Sequence, residues 1–456
     1  MIGGFEFMKK ALCMLIAASV MTISLTACNQ AGKQVDSDTK GDKQKPVTIN
    51  RWTGSQFVNE EYYIQQLERF KKKYPWITVN TIVRDGDRVA DFIVAAAAGT
   101  APDQAPVSLP MLSKYVGREL LAPIDEYWEK WDESKAFDKD AVNTCKVDGK
   151  LYGVPGDAYL MGIVYNKKLF KEAGIEHPPT TWDELLEQSR KLTDASKQQA
   201  GFGLLIAQWV DWWFEYFVWQ AGGDLTKRNS DGTVTATFTD PAVIKAAEFY
   251  RTLKREKVIQ SDQTLDDAAL KKSFAAGKIG MTIGNIGKVD DYLKLGMKKD
   301  DIGFAMFPKG PAGRNPSQYG GSLLGVNAAS SKEVQEAVFL LNSFVSSKEE
   351  QIEKYKSEEA RGKASIRLSP RTDLDQMQYQ PSLAGDKEFF DILNSARNNI
   401  QLEYYAKANA GKYVDAAIQK TTLYENVDIV EELTKAQELA QKEGLAEFNR
   451  SITGGN

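Results

Sequence analysis

The sequence predicts an α/β protein built as two lobes. Three observations carry this. Short β-rich runs alternate with amphipathic helical stretches, which implies a mainly parallel sheet with right-handed crossovers. The 456 residues exceed what one hydrophobic core ordinarily holds. A hydrophobic content of 42% and a charged content of 26% are those of a soluble globular chain.

The elements follow in order. Val47 to Trp52 is a short β-rich run. Asn59 can cap a helix whose Tyr63, Leu67, Phe70 and Tyr74 share one face. Pro75 stops it, and Ile77 to Val83 supplies the next strand. Phe92 to Ala98 reads as an Ala-rich helix ended by Gly99. Thr181-Trp182-Asp183-Glu184 is a capping-box sequence. Asp240-Pro241 sets a cap residue before a first-turn proline, with Val243, Ala247 and Tyr250 on one face. Ser330 to Glu333 forms a second capping box ahead of Val334, Val338, Leu341 and Val345. Residues 386 to 445 look helical throughout. Asn229-Ser230-Asp231-Gly232, between Thr-rich alternating runs, reads as a hairpin turn.

The N-terminus carries an address. Lys9 and Lys10 precede an apolar run from Ala11 to Leu25, which has the length of a signal-peptide core and falls short of the ~20 residues of a membrane span. It ends in Leu25-Thr26-Ala27-Cys28, which resembles the lipobox of bacterial lipoproteins. Residues 1–27 are therefore expected to leave as a signal peptide. Cys28 is expected to carry lipid and residues 28–45 to form a polar, flexible tether. This places the protein outside the cytoplasm, held on the outer face of the membrane by its lipid alone.

The formal charge is −4, and losing Glu6, Lys9 and Lys10 makes it one unit more negative. Nucleic acid is an unsuitable partner for such a chain. Of three cysteines, Cys13 leaves with the leader and Cys28 is lipidated, so Cys145 remains alone and reads as a buried apolar residue. The single His177 sits beside Pro178 and Pro179, a poor base for a triad or a zinc site. Gly277, Gly280, Gly284 and Gly287 match neither nucleotide-binding glycine spacing. No cofactor, no metal site and no catalytic residue is expected.

The densest unusual feature is residues 208–223, QWVDWWFEYFVWQAGG, which hold four of the nine tryptophans. A helical core does not need so much indole, whose N–H must find a partner when buried. A pyranose offers an apolar C–H face to an aromatic ring, and its hydroxyls bond nearby Asp, Glu, Asn and Gln. Trp209 and Trp212 are candidates for such stacking. Trp212 and Trp213 point about 100° apart on a helix and cannot share one surface.

Several strings together resemble a family. Leu151-Tyr152-Gly153-Val154-Pro155, Ile163-Val164-Tyr165-Asn166-Lys167, Pro179-Thr180-Thr181-Trp182, Phe274-Ala275-Ala276-Gly277-Lys278 and Gly320-Gly321-Ser322-Leu323-Leu324-Gly325 resemble the extracellular sugar-binding proteins of ABC importers, the maltose-binding-protein-like family. The resemblance runs from about residue 46 to 445. It implies a periplasmic-binding-protein-like fold, each lobe a mainly parallel sheet flanked by helices, joined by a hinge that the chain crosses several times. By similarity, residues 46–157 and 308–345 form lobe one, and residues 158–307 and 346–450 form lobe two.

It also implies ligand-binding positions. Thr53, Ser55 and Gln56 lie in the polar loop after the first strand. Trp212, counted back from Gly222-Gly223, falls where members of the family stack an aromatic on sugar, and Tyr404 falls near another such position. After Thr282-Ile283-Gly284-Asn285, where many relatives place a tryptophan, this chain has Ile286 and Gly287, so its subsites differ. Asn285 closes that Thr282–Asn285 run, and Gly321 lies within the Gly320–Gly325 string. Arg84, Tyr159, Tyr319 and Arg371 are candidates by loop position.

The expected function is capture of a carbohydrate, an oligosaccharide by its aromatic richness, by a monomer that delivers it to an ABC permease. A second reading is an extracellular carbohydrate-active enzyme, which needs a carboxylate pair across a cleft. A third keeps the binding fold and replaces the permease with a membrane sensor.

Overall fold

The computed structural model describes residues 44–397 and 399–453. The leader, Cys28 and nearly all of the expected tether lie outside the described residues. Among those described, no helix is long and apolar enough to cross a membrane.

Nine strands form one sheet: β1 (Val47–Thr53), β2 (Ile77–Val83), β3 (Gln104–Ser108), β4 (Gly153–Asn166), β5 (Ala200–Gly203), β6 (Ile279–Asn285), β7 (Ile302–Ala305), β8 (Ser317–Val326) and β9 (Ile400–Gln401). Their order is β2-β1-β3-β8-β4-β6-β5, with β7 paired to β4 and β9 to β8. The outer strands run parallel: β1 with β2 and β3, and β6 with β5. The two long strands are antiparallel to each other and to β3, β6 and β7.

Those long strands make the protein two-lobed. Residues 153–160 of β4 pair with β8, whereas residues 161–166 pair with β6 and β7. The lobe boundary expected after residue 157 therefore falls inside a continuous strand. β8 changes register between Gly321 and Leu323, a bulge that bends the strand at the crossing. A ladder that passes from one lobe to the other keeps backbone groups paired through the hinge.

The helices that matter to the site are α1 (Glu61–Lys73), α2 (Arg88–Ala97), α3 (Trp182–Leu192), α4 (Val210–Gln220), α5 (Pro241–Arg255), α6 (Lys332–Val345), α7 (Lys348–Ala360), α8 (Lys407–Leu423) and α9 (Ile429–Leu439). Thr181 caps α3 by accepting from the Glu184 amide, as the capping box predicts. Asp240 and Pro241 open α5 as expected. The other starts differ. Asn59 closes a short turn at Ser55–Val58, and Glu60 stands before α1. α2 begins at Arg88 because Asp87 accepts from the Val89 and Ala90 amides. Ser331, not Ser330, caps α6.

Residues 386–445 are not helical throughout. β9 and an irregular stretch separate Lys387–Ser395 from α8. The expected assignment of everything after residue 345 to lobe two also gives way at α7. That helix packs on α1 and α6, and its Glu350 pairs with Arg69 of α1 at 2.6 Å. α7 thus packs with helices of the expected lobe one.

Candidate functional site

Helix α4 is apolar nearly all round, and so it is buried nearly all round. Trp213, Phe214, Tyr216, Phe217 and Trp219 are core residues. The divergence of neighbouring indoles separates core from cleft: Trp213 turns inward, while Trp212 remains partly exposed and Trp209 is 48% exposed. The Trp209 and Trp212 rings meet edge to face at 5.6 Å.

One buried residue fixes this arrangement. Gln318, on β8, has no exposed surface. Its Oε1 accepts from Trp212 Nε1 at 2.7 Å and from Tyr216 Oη at 2.6 Å. Its Nε2 donates to Glu403 Oε1. The hinge strand thus holds an indole of α4 and a carboxylate that precedes α8. Tyr159, on the neighbouring crossing strand, lies over Gly320, where an added Cβ would meet the ring at 2.0 Å. Only glycine permits that approach. Burial, with Glu403 next, raises the Tyr159 phenol above its ordinary value.

Lys407, the first residue of α8, is the cation of the site. Its Nζ lies 3.1 Å from Glu403, 3.7 Å from Asp211, and 5.7 Å from the Trp212 and Tyr404 ring centroids. Asp211 also accepts from Tyr404 Oη at 2.5 Å, and its amide donates to Asp415. Acidic groups outnumber the cation here. Burial pushes Glu215 well above the carboxylate range, Lys407 opposing and Glu403, Asp224 and Asp211 adding to the shift. Burial also raises Asp224 to about 6.

Both site helices start from strained backbone. Trp209, before α4, has φ 51°, and Ala406, before α8, has φ 54°. Neither residue supplies a side-chain cap. A left-handed conformation in non-glycine residues costs of order 1–3 kcal/mol and concentrates at functional sites.

Beside this wall lies a cavity of about 310 Å³. Leu109 to Lys114, which follow β3 of lobe one, form one side, and Leu402 to Asn409 form the other. The cavity therefore lies between the lobes, beyond the carboxyl end of a parallel strand, where open α/β sheets take ligands. A second cavity, of about 420 Å³, lies against strands of the expected lobe one. Its walls are one face of the sheet, α1, α7 and the Ser369–Arg371 segment.

The structure divides the sequence candidates. Trp209, Trp212, Tyr159 and Tyr404 come together at the interlobe wall, although Tyr404 is buried and commits its hydroxyl to Asp211. Thr53 and Arg371 line the lobe-one cavity. Arg371 is 2% exposed and paired with Glu133 and Asp373, so its charge is already neutralised. Ser55 is exposed and takes Asp85 through its amide; Gln56 is exposed beside Gly54. Arg84 is exposed, paired with Asp91 at 2.7 Å and set 5.5 Å over Trp52. Asn285 caps the turn after β6 by accepting from the Gly287 amide. Tyr319 is buried, and Gly321 sits against Asp157 at the bulge. Asp211, Gln318, Glu403 and Lys407 were not foreseen. Among the described residues, no group of His, Cys, Asp and Glu is arranged to hold a metal. Cys145 is buried, and burial pushes its thiol up to about 12.

Two lobes on shared strands, with an aromatic and ion-paired wall facing the space between them, define a two-lobed α/β solute-binding protein. The bacterial extracellular solute-binding protein family matches residues 54–352, and this chain belongs to it. A putative binding protein of Brucella abortus is 29% identical over 256 residues, 55% of this chain and 61% of that protein. The match thus spans about three fifths of that relative's length. The diacetylchitobiose binding protein of Streptomyces coelicolor is 26% identical over 340 residues, 72% of this chain and 76% of that protein. Among solved structures, the sugar-binding protein MalE of Xanthomonas citri superposes with a TM-score of 0.70 at 18% identity, covering 90% of this chain and 100% of that one. An ABC substrate-binding protein of Listeria monocytogenes, solved with cycloalternan, gives 0.68 at 22% identity over 87% of this chain and 99% of that one.

Proposed function

We propose that this protein captures a carbohydrate, an oligosaccharide, between its lobes and delivers it to an ABC permease. The observation that carries the reading is Trp209. A half-exposed indole, edge-on to Trp212 and held on strained backbone, stands at the interlobe wall. Glu403, Lys407 and Tyr159 beside it offer polar groups for hydroxyls, which fits a ligand with alternating apolar faces and polar rims. Two relatives are named or crystallised for binding oligosaccharides, which supports the same class here.

The geometry favours binding over hydrolysis. Asp211 and Glu403 are each spent on Lys407 and a further hydrogen bond, so neither stands ready as a free acid or nucleophile. A ligand that touches both lobes stabilises the closed arrangement; one that touches a single lobe equally in both states shifts nothing. Export, lipidation at Cys28 and action as a monomer on the outer membrane face belong to the same proposal. They rest on the leader sequence and the polar stretch behind it. Two acyl chains hold a protein on a membrane far more firmly than one.

A thermal-shift screen over an oligosaccharide panel tests the reading. A true ligand at ~100 times its dissociation constant stabilises by about 2.7 kcal/mol. A panel that gives no shift with any glycan, while peptides or polyamines do, removes the sugar claim.

A further inference from the structure

The lobe-one cavity shares no lining residue with the interlobe cavity, and its charge is unbalanced. Four cationic side chains line it: Arg51, Arg88, Lys354 and Arg371. Lys354 is spent on Asp157 at 2.6 Å and Arg371 on Glu133 and Asp373. Asp157 is the only carboxylate in the wall. Burial alone would raise it, but Lys354 and Arg367 outweigh burial and hold it below its ordinary value.

Among the described residues, neither Arg51 nor Arg88 forms an ion pair. Arg51 Nε donates to Thr81 Oγ1 at 3.1 Å, and among the described residues no carboxylate lies within ion-pair distance of its guanidinium. Arg88 donates to the Arg84 carbonyl at 3.3 Å and has Asp85 as an exposed charge nearby, outside ion-pair distance among the described residues. A guanidinium carries five N–H donors in a planar fork, so most of Arg51 is unspent. Burial lowers its affinity for its own proton, with the nearby Tyr63 the only offset. A partly buried cation without a counter-charge costs stability, and a bound anion removes that cost. Five aromatic rings, Trp52, Phe57, Tyr62, Tyr63 and Phe137, share the wall with polar and aliphatic side chains. At about 420 Å³ the space matches small-ligand pockets, which run to roughly 300–1,000 Å³.

We propose that this cavity is a second binding site, for a small molecule carrying a carboxylate or a phosphate. The oxyanion sits on Arg51 in the two-point geometry that a guanidinium favours, with Arg88 at its rim. The body of the ligand packs on Phe57, Tyr62 and Tyr63. A sugar acid and a phosphate ester share this chemistry, and the experiment separates them.

Calorimetric titration of the protein with sodium glucuronate, inorganic phosphate and neutral glucose decides the matter. Saturable binding of glucuronate, of phosphate or of both, with none for glucose, is expected. Glucuronate alone assigns a sugar acid; phosphate alone assigns a phosphate ester. Arg51→Gln weakens the anion at least about tenfold, the loss of one charged hydrogen bond, and Arg51→Lys recovers part of it. Arg51→Gln also abolishes the rise in melting temperature that the anion gives the parent protein, while its near-ultraviolet circular dichroism shows an intact fold. Trp209→Ala leaves anion binding unchanged, and Arg51→Gln leaves binding of the oligosaccharide panel unchanged, so failure of this site and failure of the sugar reading are told apart. No saturable binding of either anion at millimolar concentration overturns the proposal. So does an affinity unmoved by Arg51→Gln, or one lost in Trp209→Ala.

Discussion

The interlobe wall and the lobe-one cavity are built from the same sheet and carry opposite electrostatics. At the wall, Asp211, Glu215, Glu403 and Asp415 gather around Lys407, and Asp224 nearby faces Arg314. In the cavity, Asp157 is fully matched, and Arg51 and Arg88 are left over. The wall resolves its imbalance internally. Burial raises Glu215 well above the carboxylate range and Asp224 to about 6, and Gln318 and Tyr404 supply hydrogen bonds. A guanidinium cannot shed its proton near neutral pH, so the cavity has no such escape. An excess of carboxylates can be hidden by protonation; an excess of arginine calls for a ligand.

The largest test of this contrast is Lys407→Met. It leaves Asp211 and Glu403 as partly buried charges without a cation. Breaking a buried pair on one side costs about 3–5 kcal/mol, and partial exposure of Lys407 places this loss at the low end, about 3 kcal/mol. Urea unfolding at pH 7 measures it. The deficit shrinks toward pH 5, where Asp224 and Asp415, both raised to about 6, take up protons and lessen the repulsion. A loss below 1 kcal/mol at pH 7 means that water, not Lys407, balances the wall.

Trp209→Ala comes next, and it acts on ligand rather than fold. Its edge-to-face contact with Trp212 sets the stability cost at about 0.5–1.5 kcal/mol. A central tryptophan anchor costs about 2 kcal/mol of binding when truncated, or about thirtyfold in Kd. Titration with the best glycan from the panel reads the second number and thermal melting the first. Equal losses in both assign Trp209 to packing.

These two residues also show what could be read from sequence. The indole-rich stretch was legible because so many N–H groups exceed what a core can satisfy, and the angle between neighbours on a helix separated Trp212 from Trp213. Strands β1 and β2 were legible from their β-branched runs, and α3 and α5 from caps next to their first turns. Lys407 and Gln318 were not. Nothing near them in sequence marks a site; their meaning comes from β8 crossing between lobes and bringing residue 318 against residues 212, 216 and 403. The start of α2 was missed because Asp87 caps it a turn ahead of the apolar run from Phe92. The packing of α7 on α1 was not legible because it depends on Glu350 reaching Arg69, 281 residues away.

The third test uses pH. Asp224 is raised to about 6, chiefly by burial, against ~3.9 in an unfolded chain. The folded state then binds the extra proton between those values, so stability from this group is complete below about pH 4 and is lost as pH rises through 6. Asp224→Asn removes that slope. The variant matches the parent at pH 4 and exceeds it at pH 7 by about 2 kcal/mol, less than the full 1.36 kcal/mol per unit because Asp224 is not wholly shielded. Urea midpoints at the two pH values check this. Opposite behaviour, with the variant weaker at pH 7, makes Asp224 a partner of an unpaired cation.

The smallest effect is expected at Arg84, and it sharpens the boundary between the two regions. Arg84 was a ligand candidate by loop position. It is exposed, paired with Asp91 and set over Trp52, at the edge of the loops that also bring Arg88 to the cavity. An exposed ion pair contributes about 0.2–1 kcal/mol and an exposed cation–π contact about 0.5–1 kcal/mol, so Arg84→Ala lowers stability by about 0.5–1 kcal/mol. If Arg84 serves only this local pair, glycan and anion affinities both stay within about twofold of the parent, a change near 0.4 kcal/mol. A loss confined to glycan carries the sugar site onto the loop after β2. A loss confined to anion enlarges the cationic cavity by one more guanidinium.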